Sequence, residues 1–304
     1  MDNDNTNRVR LQEIKPLALS YHTPVKLIRQ GDVHAEVIYM ARGTSINTRK
    51  LSKTEYVVLS TGEVKEYKLT DGKHREALRK TFQNLRYLIR TNFSADDPHQ
   101  KFITLTYAEN MQDSNRLYKD FEDFMKRLKR HCKHHPLQYI VVAEPQERGA
   151  WHMHLMLKSA VPGLWIDKDK LTKLWGHGMT EIAQLKGDDV GNYYVAYFTS
   201  ISAEARELTN NTDDPTAGNK AYIKGGRLGY YPKCFRFYRC SRNIVRPSQE
   251  DTDHGVVVDE YGKPVRTQAY ELIKEFEADA EARGERFNLI QRESFRKKSV
   301  EEGE

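Results

Sequence analysis

Two histidines that stand one residue apart are the residues whose spacing most directly indicates chemistry. His152 and His154 open the apolar run Trp-His-Met-His-Leu-Met-Leu, which begins at residue 151. Alternate side chains of a β-strand point to the same face, so a strand here would let both imidazoles bind one metal ion. Its opposite face would carry Met153, Leu155 and Leu157. The competing interpretation is that the two histidines alternate by chance, and only their structural context separates these alternatives.

A glutamate supplies a third candidate ligand. Glu144 ends the β-rich run 138–143, and a turn through residues 145–149 would fold it back beside the histidine strand. Two imidazoles and one carboxylate leave coordination positions open for water and for a substrate oxygen. This mixed set of ligands suits Mg²⁺ or Mn²⁺ and does not exclude Zn²⁺. Glu147, within the presumed turn, is the rival ligand.

A downstream aromatic segment contains candidate nucleophiles. Residues 190–201 are predicted to form a helix, in which Tyr193 and Tyr197 share one face and Tyr194 points to the packing side. Aromatic stripes on helices usually belong to a core, which is the competing interpretation. A phenol titrates near pH 10 and needs help to act as a nucleophile, and a metal that polarises a phosphate provides that help. The matching reaction is attack on a DNA phosphodiester, which leaves a 5′-phosphotyrosine and a free 3′-hydroxyl.

The elements that must position these residues follow in the order strand, helix, strand, strand, helix, strand, helix. Predicted strands cover residues 102–107, 138–143, 151–158 and 179–185, and predicted helices cover residues 117–128, 167–175 and 190–201. This order fits an α+β fold with a split β-α-β, ferredoxin-like arrangement. In it, helices on one face pack against a central, mostly antiparallel sheet.

We predict three regions in the chain. Residues 1–93 form an N-terminal extension with a β-hairpin, which turns at residues 60–63, and a basic helix at 74–90. Residues 100–202 form the α+β domain, and residues 203–304 form a C-terminal region of basic and aromatic strands with a charged helix at 268–283. A solvated helix face explains the bases of the 74–90 helix most simply, and a DNA-facing surface is the alternative. These bases are Arg75, Arg79, Lys80, Arg86 and Arg90.

Composition narrows the class of protein. The net charge of +6 arises from 49 Lys and Arg against 43 Asp and Glu, which is compatible with a phosphate-bearing partner. Three cysteines without a Cys-x-x-Cys pair argue against a disulfide framework and a structural zinc site. No apolar run approaches the roughly 18 residues of a membrane span, and the polar start lacks a signal core. We therefore expect a cytoplasmic protein without a membrane partner.

Bases alternate with aromatic residues between positions 220 and 242, a pattern typical of single-strand binding. A solvated, β-rich segment is the alternative. The candidate DNA-binding residues are Arg148, Lys224, Arg227, Arg236 and Arg239. No phosphate-binding loop of the Gly-x-x-x-x-Gly-Lys-Ser/Thr type is present, so strand unwinding would need a helicase from the host.

Three segments resemble, in this order, the three motifs of HUH endonucleases. They are the strand Phe-Ile-Thr-Leu-Thr-Tyr at 102–107, the His-Met-His run and the Tyr-x3-Tyr helix. The chain is similar to rolling-circle replication initiators of bacterial plasmids, mobile elements and phages, including the gene 2 protein of filamentous phages. The resemblance covers residues 100–202.

The resemblance implies roles for individual residues. His152, His154 and Glu144 would bind the divalent cation, Tyr193 would cut DNA, and Tyr197 would be the second tyrosine. Origin DNA in single-stranded form, a host helicase and the replication machinery would be the partners. Many relatives carry a lysine where this chain has Ala196, so the first nucleophile stays open among Tyr193, Tyr194 and Tyr197.

Three other functions remain as alternatives. A mobilisation relaxase would use the same chemistry for transfer between cells. A non-catalytic protein would bind nucleic acid on its sheet and use the histidines structurally. A metal hydrolase would activate water and form no covalent intermediate.

Overall fold

The computed structural model describes residues 8–42, 48–52, 55–59, 61–66, 71–95, 97–146, 149–187, 189–199, 201–202, 222–223, 231–232, 235–275 and 285–297. The chain divides into two compact units. Unit 1 comprises Met1–Leu69 and Pro247–Glu304, and unit 2 comprises Thr70–Arg246.

The elements of the described residues are β1 (Arg8–Ile14), β2 (Pro24–Gln30), β3 (His34–Met40), β4 (Thr48–Lys50), β5 (Glu55–Val58), β6 (Val64–Glu66), α1 (Asp71–Asn92), β7 (Lys101–Thr106), α2 (Ser114–His131), β8 (Leu137–Pro145), β9 (Trp151–Ser159), α3 (Lys168–Trp175), β10 (Thr180–Ala183), α4 (Val190–Thr199), β11 (Ile201–Ser202), β12 (Tyr222–Ile223), β13 (Tyr238–Cys240), β14 (Ser248–Asp253), α5 (His254–Tyr261), β15 (Arg266–Glu275) and β16 (Glu285–Arg296).

Unit 2 is built on a five-stranded antiparallel sheet with the strand order β10-β7-β9-β8-β13. The α+β class and the central antiparallel sheet are therefore confirmed. Helices cover both faces, however, and the prediction of helices on one face was wrong. Helices α2 and α3 pack on one face, while α1 and α4 pack on the other. Helices cover the second face because α1 carries an apolar stripe that packs on it. This stripe includes Phe82, Leu85 and Ile89.

Unit 1 contains a six-stranded antiparallel sheet with the order β1-β15-β16-β3-β2-β14. Helix α5 packs on it through Val257 and Tyr261. The predicted N-terminal hairpin is present, because β5 pairs with β6 in a three-stranded sheet that also contains β4. The turn between β5 and β6 includes Gly62, whose φ of 73° suits glycine.

The charged helix predicted at residues 268–283 is wrong where the structure describes it, because Arg266–Glu275 is strand β15. This strand pairs with β1 on one side and with β16 on the other. Ala269, Glu271 and Ile273 are buried in alternation, which is the period of a strand. The charges at Glu271, Lys274 and Glu275 gave the segment the composition of a charged helix.

These units differ from the predicted regions 1–93, 100–202 and 203–304. Helix α1 belongs to unit 2, and the last strands of the chain join the first strands in unit 1. Pairing between distant segments leaves no local signal in the sequence, so pattern reasoning could not find these boundaries. No helix among the described residues is long and apolar enough to cross a membrane.

Trp175 anchors α3 in the core of unit 2. Its side chain has no exposed surface, and its Nε1 donates a hydrogen bond to the carbonyl of Thr106 at 3.0 Å. Its ring packs edge-on against Tyr107 and Phe124 at centroid distances of 5.1 and 5.7 Å. In contrast, Trp165 is 75% exposed. The two tryptophans therefore form a matched pair for testing the packing.

We expect Trp175→Ala to lower the free energy of unfolding by about 3–5 kcal/mol, because it removes a fully buried ring. Trp165→Ala should change it by no more than about 0.5 kcal/mol, as substitutions at exposed positions usually do. Urea denaturation followed by far-UV circular dichroism measures both values. Equal losses in the two variants would contradict the described packing.

Candidate functional site

The register of three strands brings the predicted ligands to one face of the sheet. Strand β9 lies between β7 and β8. His154 pairs with Thr104 of β7, and His152 lies opposite Glu144 of β8. The predicted pairing of the glutamate strand with the histidine strand is therefore confirmed. The predicted alternation is confirmed as well, because the core on the opposite face contains Met153, Leu155 and Leu157.

His154 and Glu144 are in direct contact. The Nε2 of His154 meets the Oε2 of Glu144, and the two side chains are only 2% and 7% exposed. Burial lowers the pKa of His154 from 6.5 to about 3, so burial favours the neutral imidazole. The Nδ1 of His154 lies 3.2 Å from the hydroxyl of Thr104. When the N–H of Nδ1 donates a hydrogen bond to that hydroxyl, a lone pair on Nε2 faces the carboxylate. Two acceptor atoms in contact need a cation between them, either a proton or a metal ion.

His152 does not complete a three-ligand group. Its Nδ1 lies 3.4 Å from the Nε2 of Gln146, and its own Nε2 is buried. Within the described part of the chain, no three His, Cys, Asp or Glu side chains form a group that could hold a metal ion. The structure thus joins two of the predicted ligands, His154 and Glu144, and puts His152 on the same face. The rival Glu147 lies outside the described residues.

The chemistry of these donors nevertheless suits a divalent cation. A neutral imidazole nitrogen and a buried carboxylate oxygen are the deprotonated forms that bind metals. The hydroxyl of Thr104 is positioned to orient the imidazole from behind, as second-layer groups do in metal sites. His154 and Glu144 are therefore the residues that could hold the ion, and His152 is the candidate for a third ligand.

The tyrosines of α4 differ in exposure. Tyr193 and Tyr197 are 46% and 45% exposed, and both line a cavity of about 180 Å³ with Phe102 and Thr104. Tyr194 is buried against Phe102, and burial raises its pKa to about 12. Tyr194 also lines this cavity but is buried in the core, whereas the other two tyrosines are exposed.

Tyr197 adjoins the histidine strand directly. Its ring meets the imidazole of His154 edge to face, with centroids 5.3 Å apart and planes at 89°. Tyr193 packs against Tyr194 at 4.9 Å, one turn earlier along the helix. Because Tyr197 contacts the candidate ligand and lines the same cavity as Thr104, it is the tyrosine best placed to act with the histidine.

An ion pair that the sequence patterns do not predict holds α4 on α1. Arg90 Nε donates to Asp189 Oδ1 at 2.9 Å, and its Nη2 contacts Oδ2. The same Oδ1 accepts a hydrogen bond from the backbone of Asn192 at 3.0 Å and so caps α4. The Arg90 side chain is only 8% exposed. Both interpretations of this base, a solvated face and a DNA-facing surface, are therefore wrong.

The helix contact is also very close. A Cβ on Gly191 would lie 2.6 Å from Cγ of Arg90 and 2.9 Å from the carbonyl oxygen of Arg86. Glycine lets the two helices approach here. An aspartate before a helix is a recognisable signal of an N-terminal cap. The ion pair could not be predicted, because its arginine lies 99 residues away in the sequence. Of the other bases, Arg79 and Lys80 are exposed as a solvated face requires.

The predicted DNA-binding residues have different environments. Arg239 donates to Glu122 at 2.8 Å and lies over the ring of Tyr118 at 3.7 Å, so it is engaged with α2. Arg236 is exposed. Arg148, Lys224 and Arg227 lie outside the described residues.

Comparisons with known proteins bear on the same segment. Searches among curated proteins and among solved structures gave no match. A family model for the replication-associated protein known as ORF2 or gene 2 protein matches residues 100–201. This range contains β7, the histidine strand, Glu144 and α4. The resemblance predicted for residues 100–202 is confirmed as a similarity, because residues 100–201 match the model of this replication-associated protein family.

Proposed function

We propose that the protein initiates rolling-circle DNA replication by nicking and rejoining one DNA strand at a specific site through a tyrosine. One observation carries the proposal: an exposed tyrosine, Tyr197, packs against His154, whose Nε2 contacts the buried Glu144. The family match over residues 100–201 supports a role in replication.

Tyr197 is proposed as the first nucleophile and Tyr193 as the second. This order differs from the one that the resemblance implies, and it rests on the contact between Tyr197 and His154. The phenolic oxygen attacks phosphorus and the bond from phosphorus to the 3′ oxygen breaks. The phenol loses its proton to solvent, and the departing 3′ oxygen takes one up from solvent. The products are a 5′-phosphotyrosine and a 3′-hydroxyl. Attack by a 3′-hydroxyl on the phosphotyrosine reverses the step and releases the phenol.

The proposed cofactor is Mg²⁺ or Mn²⁺, held by His154 and Glu144 with His152 as the third ligand. When bound, the ion polarises a phosphate oxygen and stabilises developing charge. Thr104 orients the His154 ring, and the surrounding apolar side chains exclude water from the contact between His154 and Glu144. The proposed partners are origin DNA in single-stranded form, a host helicase and the replication machinery.

The covalent intermediate provides the first test. Incubation with oligonucleotides that tile the native replicon, in the presence of Mn²⁺, should give an adduct that survives denaturing electrophoresis and maps to Tyr197 by mass spectrometry. Tyr197→Phe should reduce its formation at least about a thousand-fold, as loss of a nucleophile does. Tyr193→Phe should still form the first adduct, but it should no longer catalyse transfer to a second strand. Tyr194→Phe, at the buried position, is the matched control and should keep both. No adduct with any oligonucleotide would favour the non-catalytic alternative.

Metal binding provides the second test. Isothermal titration calorimetry with Mn²⁺ should give a binding isotherm that His154→Ala abolishes. Thr104→Val, which removes only the orienting hydroxyl, should weaken the affinity about 10- to 100-fold. Met156→Leu, on the same face of β9, should leave it unchanged. An unaltered Mn²⁺ affinity in His154→Ala would rule out the proposed ligand set.

The Arg90–Asp189 pair should act as a positioning device for Tyr197. Arg90→Gln leaves Asp189 without its ionic partner and frees α4 to shift, so the rate of adduct formation should fall about 100-fold. Arg79→Gln, on the exposed face of the same helix, is the matched control and should keep the rate. The double exchange Arg90→Asp with Asp189→Arg should restore part of the lost rate, measured beside the unfolding curve of each variant. A normal rate in Arg90→Gln would contradict the positioning role.

A further inference from the structure

Unit 2 has a second cavity, beside an exposed tryptophan. Trp165 lies between β9 and α3 and is 75% exposed. With Lys101, Lys168, Ile103 and other residues it lines a cavity of about 270 Å³. A single exposed apolar side chain is ordinary on a soluble protein. An exposed indole at the wall of a cavity that also carries two lysines is a combination that points to a ligand.

This cavity lies on the face of the sheet opposite to the tyrosines. The tyrosine cavity is lined by Thr104 of β7 and by Glu181 of β10, which pair with each other. The tryptophan cavity is lined by Ile103 and Ile182, the neighbouring pair of the same two strands. Successive side chains of a strand point to opposite faces, so the two cavities are back to back.

Strand β10 is the first in the order of the sheet and forms its edge. A flexible polymer can therefore pass around β10 from one cavity to the other without crossing the sheet. A single DNA strand has this flexibility, whereas a duplex is stiff over such a short path. The arrangement thus favours an unpaired strand that runs from the tyrosine cavity towards Trp165.

The groups around Trp165 match the parts of a nucleotide. An exposed indole offers a face on which a base of any sequence can stack, and the lysines offer positive charge to the phosphates. Lys101 donates to the carbonyl of Pro98 at 2.6 Å, which uses one of its three donors. The cavity also contains Asp167, whose Oδ1 accepts a hydrogen bond from the backbone of Lys170 at 2.8 Å and caps α3.

We propose that Trp165, Lys101 and Lys168 form a binding subsite for single-stranded DNA, where an unpaired base next to the nick site stacks on the indole. This inference adds a binding subsite to the proposed function, and it rests on that function for the identity of the DNA. It contributes affinity and holds the strand, while the chemistry stays at α4.

Tryptophan fluorescence tests the stacking in the unaltered chain. The other two tryptophans, Trp151 and Trp175, are 4% and 0% exposed. Oligodeoxythymidylate should therefore quench the emission mainly through Trp165, and Trp165→Phe should remove that quenching. A duplex of the same length should quench much less. Equal quenching in the wild type and in Trp165→Phe would overturn the proposal.

Binding affinity provides an independent measurement. Fluorescence anisotropy with labelled oligodeoxythymidylates of increasing length should show that Trp165→Ala weakens binding about 5- to 100-fold once the strand is long enough to reach the subsite. Trp165→Phe should recover most of the affinity, because it keeps a ring. Val161→Ala, an exposed apolar position in the same connection, is the matched control and should bind as the wild type does. Unchanged affinity in Trp165→Ala at every length would also overturn the proposal.

The lysines and the chemistry are tested separately. Lys168→Gln should reduce the slope of log affinity against log salt by about 0.7, the value for one contact with a single-strand phosphate. A short oligonucleotide that covers only the nick site should form its adduct equally well in Trp165→Ala. Failure of adduct formation in the wild type would refute the proposed reaction. Normal adduct formation together with equal quenching in the wild type and in Trp165→Phe would refute the subsite alone.

Discussion

The pairing of β9 with β7 on one side and with β8 on the other is the constraint on which the site depends. Side chains alternate along β9, so a slip of one residue would turn Met153, Leu155 and Leu157 out of the core. The same slip would turn His154 away from Glu144 and from Thr104. The apolar residues therefore fix the position of the polar ones. A histidine strand of this kind is held in register by its opposite face, and the hydroxyl of Thr104 lies beside the imidazole of His154 within that register.

The tyrosine helix is held in a different way. Apolar packing by Tyr194 and Phe198 attaches α4 to the sheet, and the Arg90–Asp189 pair and Gly191 attach it to α1. A buried ion pair is costly to desolvate and has strict geometry, so it fixes orientation more than it adds stability. Apolar contacts thus join the helix to the sheet, and the charged contact joins it to α1.

Local patterns predicted much of unit 2 and little of unit 1. Period-two alternation identified β9, and helical spacing separated the exposed faces of Tyr193 and Tyr197 from the buried Tyr194, because each signal lies within a dozen residues. Those patterns could not reveal that α1 covers the second face of the five-stranded sheet or that Arg90 contacts Asp189. In β15 the alternation of burial is present, but charged residues, among them Glu271 and Lys274, gave the segment the composition of a charged helix. The failed predictions concern contacts between segments that are distant in the sequence, and sequence periodicity does not encode such contacts.

The discontinuity of unit 1 bears on how the chain folds as it leaves the ribosome. Unit 2 is a single stretch, Thr70–Arg246, so all its strands and helices have been synthesised before β14 appears. The sheet of unit 1 needs β16 between β3 and β15, so it stays incomplete until β16 has emerged. Domains generally fold as units during synthesis, in the order in which they become available. The unit that contains the histidines and tyrosines therefore folds first in the nascent chain. Until β14 and β16 have been synthesised, the outer edges of β2 and β3 stay unpaired, and we expect chaperones to bind them in this state.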